Sequence, residues 1–265
     1  MMSSDYPHLL TDLRAQRPLV HNITNYVVMN FTANALLAIG AAPVMAHAVE
    51  EVEAMVGLAS ALVINIGTLS EPWIAAMKLA IAAAGDRGVP YVLDPVGAGA
   101  TPLRTDTAKT LISLHPPAVI RGNASEIGAL ANAAVTTRGV DSTLAASDAL
   151  AAARTLSQQF HTTVVISGEV DYIIQGDQQA EIHNGDRRMA QVTGMGCTAT
   201  ALLGAFVAVA PLFAAAVATM ATMGVAGELA AQQAQGPGTF VPHFLDALAA
   251  LSADTLKTHT RLVET

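Results

Sequence analysis

The sequence predicts an α/β protein in three layers, a mostly parallel central sheet with helices on both faces. Two patterns and one composition predict it. Short apolar runs of strand length alternate with longer stretches of helical spacing, and repeated strand–helix alternation builds parallel sheets buried on both faces. Several of those runs end in Asp, Asn, Ser or Gly, residues that suit a chain leaving a sheet and turning back over it. Hydrophobic residues fill 52% of the 265 positions and charged ones 13%, enough for an extensive core and contrary to disorder. With no repeat, linker or low-complexity segment beyond an alanine bias, residues 1–265 are read as one domain.

The elements follow in order. Residues 9–16 have the spacing of a surface helix. Residues 18–25 interleave polar with apolar side chains and are assigned no element. Residues 27–39 read as a helix stopped by Gly40, a good C-cap. A short strand is expected over 41–45 and a helix over 49–59. Residues 62–66 form an apolar run that ends at Gly67, and 72–84 a helix with Pro72 in its first turn. Strands are expected at 91–93, 118–120 and 163–166, with helices at 103–114, from 126 to 131, and at 144–160. Residues 171–175 and 180–184, joined through Gly176-Asp177, read as an antiparallel hairpin.

Residues 189–227 contain no charged side chain and are the one candidate for a membrane span. A spanning helix wants roughly 20 predominantly apolar residues. This stretch is rich in Ala and interrupted by Gly194, Gly196, Gly204 and Pro211, so it is read as two core helices around Pro211. The N-terminus lacks the basic-then-apolar order of a signal peptide. A single cysteine cannot form an internal disulfide, so a cytoplasmic location is expected. A net charge of −8 gives no reason to expect a nucleic-acid partner.

The chemistry collects where the strands end, since open parallel sheets bind ligands beyond the carboxyl ends of their strands. Those ends carry Asn65-Ile66-Gly67, Asp94-Pro95-Val96-Gly97, Arg121-Gly122-Asn123 and Ser167-Gly168. A fifth segment, Gly194-Met195-Gly196-Cys197-Thr198, is a Gly-rich turn running into a helix, a natural anion site. Together they point to phosphoryl transfer. Asp94 and Glu126 suit Mg²⁺, which prefers carboxylate, water and phosphate oxygens. Arg121 suits a bidentate phosphate clamp, Ser167 offers a hydroxyl, and the amides of 194–197 stabilise charge on the transferred group. Cys197, at a helix N-terminus, is expected to have a lowered thiol pKa. No Walker-type phosphate loop is present, and the eight histidines show no zinc spacing; His21 and His47 are read as structural.

Five blocks of the chain, in order, resemble hydroxyethylthiazole kinases: residues 21–25 (HNITN), 40–45 (GAAPVM), 93–101 (LDPVGAGAT), 121–126 (RGNASE) and 194–198 (GMGCT). The resemblance implies a ribokinase-like fold, a homotrimer with sites between subunits, and ATP- and Mg²⁺-dependent phosphorylation of the hydroxyl of 4-methyl-5-(2-hydroxyethyl)thiazole in thiamine salvage. It places Met45 and Gly194, with Asn25 nearby, on the thiazole. It places Arg121, Ser167 and Asn123 on the nucleotide side, since Asn123-x-x-Glu126 matches the superfamily's Mg²⁺-linked pattern. Cys197 stands where most ribokinase-like enzymes carry an Asp base, and Ser167 where many family members carry Thr.

Three other readings compete. One is another ribokinase-like small-alcohol kinase, such as one acting on hydroxymethylpyrimidine; Cys197 and the 21–25 block argue against it. Another is acyl transfer with Cys197 as nucleophile and His21 or His47 as base. The last is a non-catalytic thiazole- or thiamine-binding regulator.

Overall fold

The computed structural model describes residues 3–131 and 146–265. After a 3-10 turn at Ser3–His8 come α1 (Leu9–Gln16), β1 (Leu19–Ile23), α2 (Met29–Ile39), β2 (Ala42–Val44), α3 (Val52–Val56) and β3 (Ala61–Asn65). The alternation continues through α4 (Glu71–Arg87), β4 (Tyr91–Asp94), α5 (Pro102–Leu114), β5 (Val119–Asn123) and α6 (Ala124–Ala131). Helix α7 (Ala146–Phe160) leads to β6 (Thr163–Ser167), β7 (Asp171–Gln175) and β8 (Gln178–Ile182). The chain ends with α8 (Met195–Val207), α9 (Leu212–Gln233), α10 (Pro237–Ala250), α11 (Ala253–His259) and β9 (Leu262–Glu264).

These strands form one sheet in the order β2-β1-β3-β4-β5-β6-β7-β8-β9. The first six pair in parallel; β7, β8 and β9 add an antiparallel edge. Strand residues alternate between two cores. Val63, Val92, Val119, Val165 and Ile173 face a layer that includes α2, α8, α9 and α10. Leu62, Leu93, Ile120, Val164 and Ile174 face the opposite layer, with Trp73 and Ile81 of α4 and Leu111 of α5. Period-two alternation within fully apolar strands is what a doubly covered sheet requires.

Strand order reverses at β1, because β2 lies on one side of it and β3 on the other. The crossovers leave in opposite directions there and open a crevice beyond the carboxyl ends, the usual ligand position in such sheets.

Most expected elements are present, and the differences have physical reasons. Residues 18–25 contain β1, a central strand whose polar side chains hid it. His21 is fully buried there, and its Nε2 donates to the Ala46 carbonyl at 2.7 Å. The helix expected over 49–59 contracts to α3, with turns on both sides and Gly57 at its end. The hairpin closes through two residues, with Gly176 at φ 58°, so β8 begins at Gln178 rather than 180. Leu144, the expected start of α7, lies outside the described residues. The uncharged stretch becomes α8 and α9 hinged at Pro211, as expected. Helix α9 is long and apolar enough to cross a membrane, yet 78% of its most apolar window is buried inside the protein.

Candidate active site

The five segments singled out in the sequence converge beyond the carboxyl ends of β3–β6 and at the start of α8. A cavity of about 220 Å³ is lined by Asp94, Val96, Arg121, Asn123, Glu126, Ser167, Gly194, Gly196 and Cys197.

Asp94 closes β4 at its floor, 1% exposed. Its Oδ2 accepts from Asn65 Nδ2 at 2.8 Å and from Thr200 Oγ1 at 2.7 Å, and lies 3.9 Å from Arg121 Nη1. Burial pushes its pKa up to about 6, helped by the Glu126 charge and opposed by Arg121, Thr200 and Asn65. Its Oδ1 is buried without a partner. Thr200, missed by the sequence reading, lies one helical turn beyond Cys197, so the i, i+3 period that puts both on one face of α8 was the signal for it.

Glu126 is fixed by a reciprocal cap at the start of α6. Asn123 Oδ1 accepts from the Glu126 amide and Glu126 Oε2 from the Asn123 amide, both at 2.9 Å. The Asn-x-x-Glu spacing is therefore a capping box as well as a motif. Glu126 Oε1 accepts from the Gly97 amide at 2.8 Å, tying the loop after β4 to the start of α6.

The donor set fits Mg²⁺. Two carboxylates face one cavity, the Glu126 charge raises the cost of charging Asp94, and the orphaned Asp94 Oδ1 meets no donor among the described residues. Mg²⁺ is commonly held by one or two carboxylates, with water and phosphate completing its octahedron.

Arg121, 9% exposed, crosses the cavity wall. Its Nη2 donates to Ser167 Oγ at 2.6 Å, while Nε is buried without a partner. Gly196 makes room for it: a Cβ there would sit 2.8 Å from Arg121 Nη1. Gly194 is the N-cap of α8 at φ 89°, and a Cβ there would sit 2.7 Å from Val28 Cγ1. Gly194 is thus favoured by both conformation and contact, and a side chain at Gly196 would push the Arg121 guanidinium aside. The first amides of α8 have no helical acceptor and open on the cavity.

Cys197 departs from expectation. Its thiol pKa is raised to about 11, because burial and the Asp94 charge outweigh the opposing influences of Asn65, Arg121 and Asn25. A helix N-terminus lowers a thiol's pKa only where desolvation does not win. Asn25 Nδ2 donates to Cys197 Sγ at 3.5 Å and to Asn65 Oδ1 at 2.9 Å, so Asn25 stands beside the thiol. Met45 stands apart: half-buried just past β2, the edge strand, it does not line the cavity. Among the described residues no histidine lines it either, which leaves the acyl-transfer reading without its base.

Asp171 is the other residue missed. It is 8% exposed at the start of β7, accepts from the Gly168 amide at 3.0 Å, and feels the Arg121 charge. Burial lifts its pKa to about 7. No sequence signal separates it from a turn aspartate.

A buried arginine, two carboxylates and a helix start gathered beyond the carboxyl ends of β4–β6 suit a kinase of ribokinase-like architecture. The fold is shared with a ribokinase-like superfamily protein from Enterococcus faecalis V583 (14% identity, TM-score 0.62, 89% of this chain and 87% of that one). The hydroxyethylthiazole kinase family profile matches residues 10–254, and the chain belongs to that family. A hydroxyethylthiazole kinase from Nitratidesulfovibrio vulgaris is 56% identical over 252 residues, 94% of each chain. The structure of a hydroxyethylthiazole kinase protein from Pyrococcus horikoshii OT3 superposes with a TM-score of 0.92 at 42% identity, covering 98% of both chains.

Proposed function

We propose that this single-domain chain transfers the γ-phosphoryl group of ATP to the hydroxyl of 4-methyl-5-(2-hydroxyethyl)thiazole. The observation that carries the reading is the single cavity in which Arg121, Ser167, Asp94, Glu126 and the start of α8 meet. The new bond joins the substrate oxygen to the γ-phosphorus, the bond from that phosphorus to the β,γ-bridging oxygen breaks, ADP departs, and the hydroxyl proton is released to solvent. Asp94 and Glu126 would hold Mg²⁺, directly or through water, and the ion would neutralise phosphate charge there. Arg121 and Ser167 hold the nucleotide's phosphates, with Asn123 beside them. The amides of 194–197 meet the charge on the transferred group in a site already shaped for it.

Cys197 sits where the substrate hydroxyl meets the γ-phosphate. Its thiol stays protonated near neutrality, so its service is contact and positioning. Phosphoryl transfer through a loose transition state asks for little early proton removal.

Met45, Asn25 and Gly194 hold the thiazole. A second copy completes that end, because 220 Å³ is below the roughly 300–1,000 Å³ of ordinary small-ligand pockets. Tyr26, Val27, Leu37 and Leu58 lie 59–71% exposed on the elements around β1, α2 and α3. We read the assembly as a homotrimer in the cytoplasm, without nucleic-acid or membrane partners.

The test is ADP release with Mg²⁺-ATP and a panel containing the thiazole alcohol, hydroxymethylpyrimidine and simple alcohols. Multiple turnovers with a preference for the thiazole alcohol support the reading. Preference for the pyrimidine moves the chain to the rival kinase, and binding without turnover makes it a regulator.

A further inference from the structure

Arg104, on α5, sends its guanidinium between two loops that are distant in sequence. Nη1 donates to the carbonyls of Ile66 at 2.9 Å and Val96 at 2.8 Å, and Nη2 to that of Gly67 at 2.9 Å. Among the described residues no carboxylate lies within ion-pair distance of it. Among the described residues other arginines also fork onto carbonyls, Arg261 onto that of His183 and two more onto helix ends. Arg14 grips Leu248, Ala249 and Leu251 at the end of α10, and Arg188 grips Ala231 and Ala234 at the end of α9. Those caps meet the negative ends of helix dipoles. Arg104 meets no helix end; its three acceptors leave the carboxyl ends of β3 and β4, at the edge of the cavity.

What the clamp holds explains its place. Ile66 and Gly67 directly follow Asn65, whose Nδ2 donates to Asp94. Val96 precedes Gly97, whose amide donates to Glu126 Oε1. Gly97, at φ 76°, packs on the Arg104 side chain: a Cβ there would lie 2.9 Å from Arg104 Cδ. One guanidinium thus fixes the donor that orients each carboxylate.

We propose that Arg104 is a positioning residue that presets the spacing of Asp94 and Glu126 for a divalent cation; this rests on the Mg²⁺ reading above. Lysine cannot replace it, because an ammonium is a point charge without the planar fork that spans two loops. Partners that orient metal ligands typically carry about 10–100-fold of metal affinity or activity.

The experiment is a Mn²⁺ titration of the protein with saturating ADP, following the resonance of free Mn²⁺, on wild type, Arg104→Lys and Arg104→Met. No turnover is involved. The expected result is Mn²⁺ affinity about tenfold weaker in Arg104→Lys and about a hundredfold weaker in Arg104→Met. The Mg²⁺ concentration for half-maximal activity should rise in parallel, with KM for the thiazole alcohol unchanged. Melting curves identify the folded variants, and Arg104→Lys, the milder change, decides if Arg104→Met does not fold. Wild-type Mn²⁺ binding with an unaltered Arg104→Lys overturns the role of Arg104 alone. Absence of Mn²⁺ binding in wild type overturns the metal reading and this proposal with it.

Discussion

The two ends of the cleft are built on opposite principles. At what we propose as the phosphate end, Asp94, Arg121 and Glu126 are 1%, 9% and 8% exposed, each tied to neighbours from other strands or loops. At the β2 end Tyr26, Val27 and Leu58 are 63%, 68% and 71% exposed, and Met45 stands beyond the cavity. A buried charge is costly from the moment the chain folds, so its partners must come from the same chain. Apolar recognition carries no such cost and can be shared with another copy.

The strongest way to break this comparison is to remove a charge at the phosphate end. Asp94→Asn should lower kcat about 10²–10⁴-fold, since charge-assisted contacts carry about 1.5–3 kcal/mol each and more than one is lost. Steady-state kinetics at saturating Mg²⁺-ATP check this, and a loss under tenfold contradicts it. Next is Cys197. With its thiol pKa raised from 9.0 to about 11, alkylation by iodoacetamide near pH 8 should run about a hundredfold slower than for a free thiol. A rate as fast as free cysteine means the thiolate is populated and reopens the nucleophile reading.

Arg121→Ala should raise KM for ATP about 10–100-fold and leave KM for the thiazole alcohol unchanged. Equal changes in both constants would erase the division between the two ends. At the other end, Val27→Asp should break the assembly on light scattering and raise KM for the thiazole alcohol roughly tenfold, through loss of an interface contact. A wild-type mass of one chain at micromolar concentration removes the shared-site idea altogether.

The smallest effect concerns Asp171. Its pKa rises from 3.8 unfolded to about 7 folded, so the folded state binds the proton more tightly. That contribution is fully present below pH 3.8 and is lost as pH climbs through 7. Asp171→Asn keeps an acceptor for the Gly168 amide without the charge. Its melting temperature relative to wild type should climb by a few degrees between pH 4 and 7 and level off above. A constant difference across that range contradicts the raised pKa.

The sequence by itself determined the layers and the polar edge. Period-two apolar runs between helical stretches can bury both faces only in a covered parallel sheet, and strand-end residues such as Asp94, Arg121 and Ser167 must then share one edge. Gly194 and Gly196 were legible too, because few other residues fit a tight turn into a helix. Tertiary structure alone decided the rest. It made a strand of residues 19–23, where buried His21 finds its partner in the distant Ala46 carbonyl. It brought Thr200 and Asn65 onto Asp94, and Arg104 onto two loops 8 to 38 residues away. It also reversed the expected character of Cys197, since a helix N-terminus is visible in sequence but desolvation and a neighbouring buried carboxylate are not. Local pattern records what a residue prefers; the charges and hydrogen bonds it meets belong to segments far along the chain.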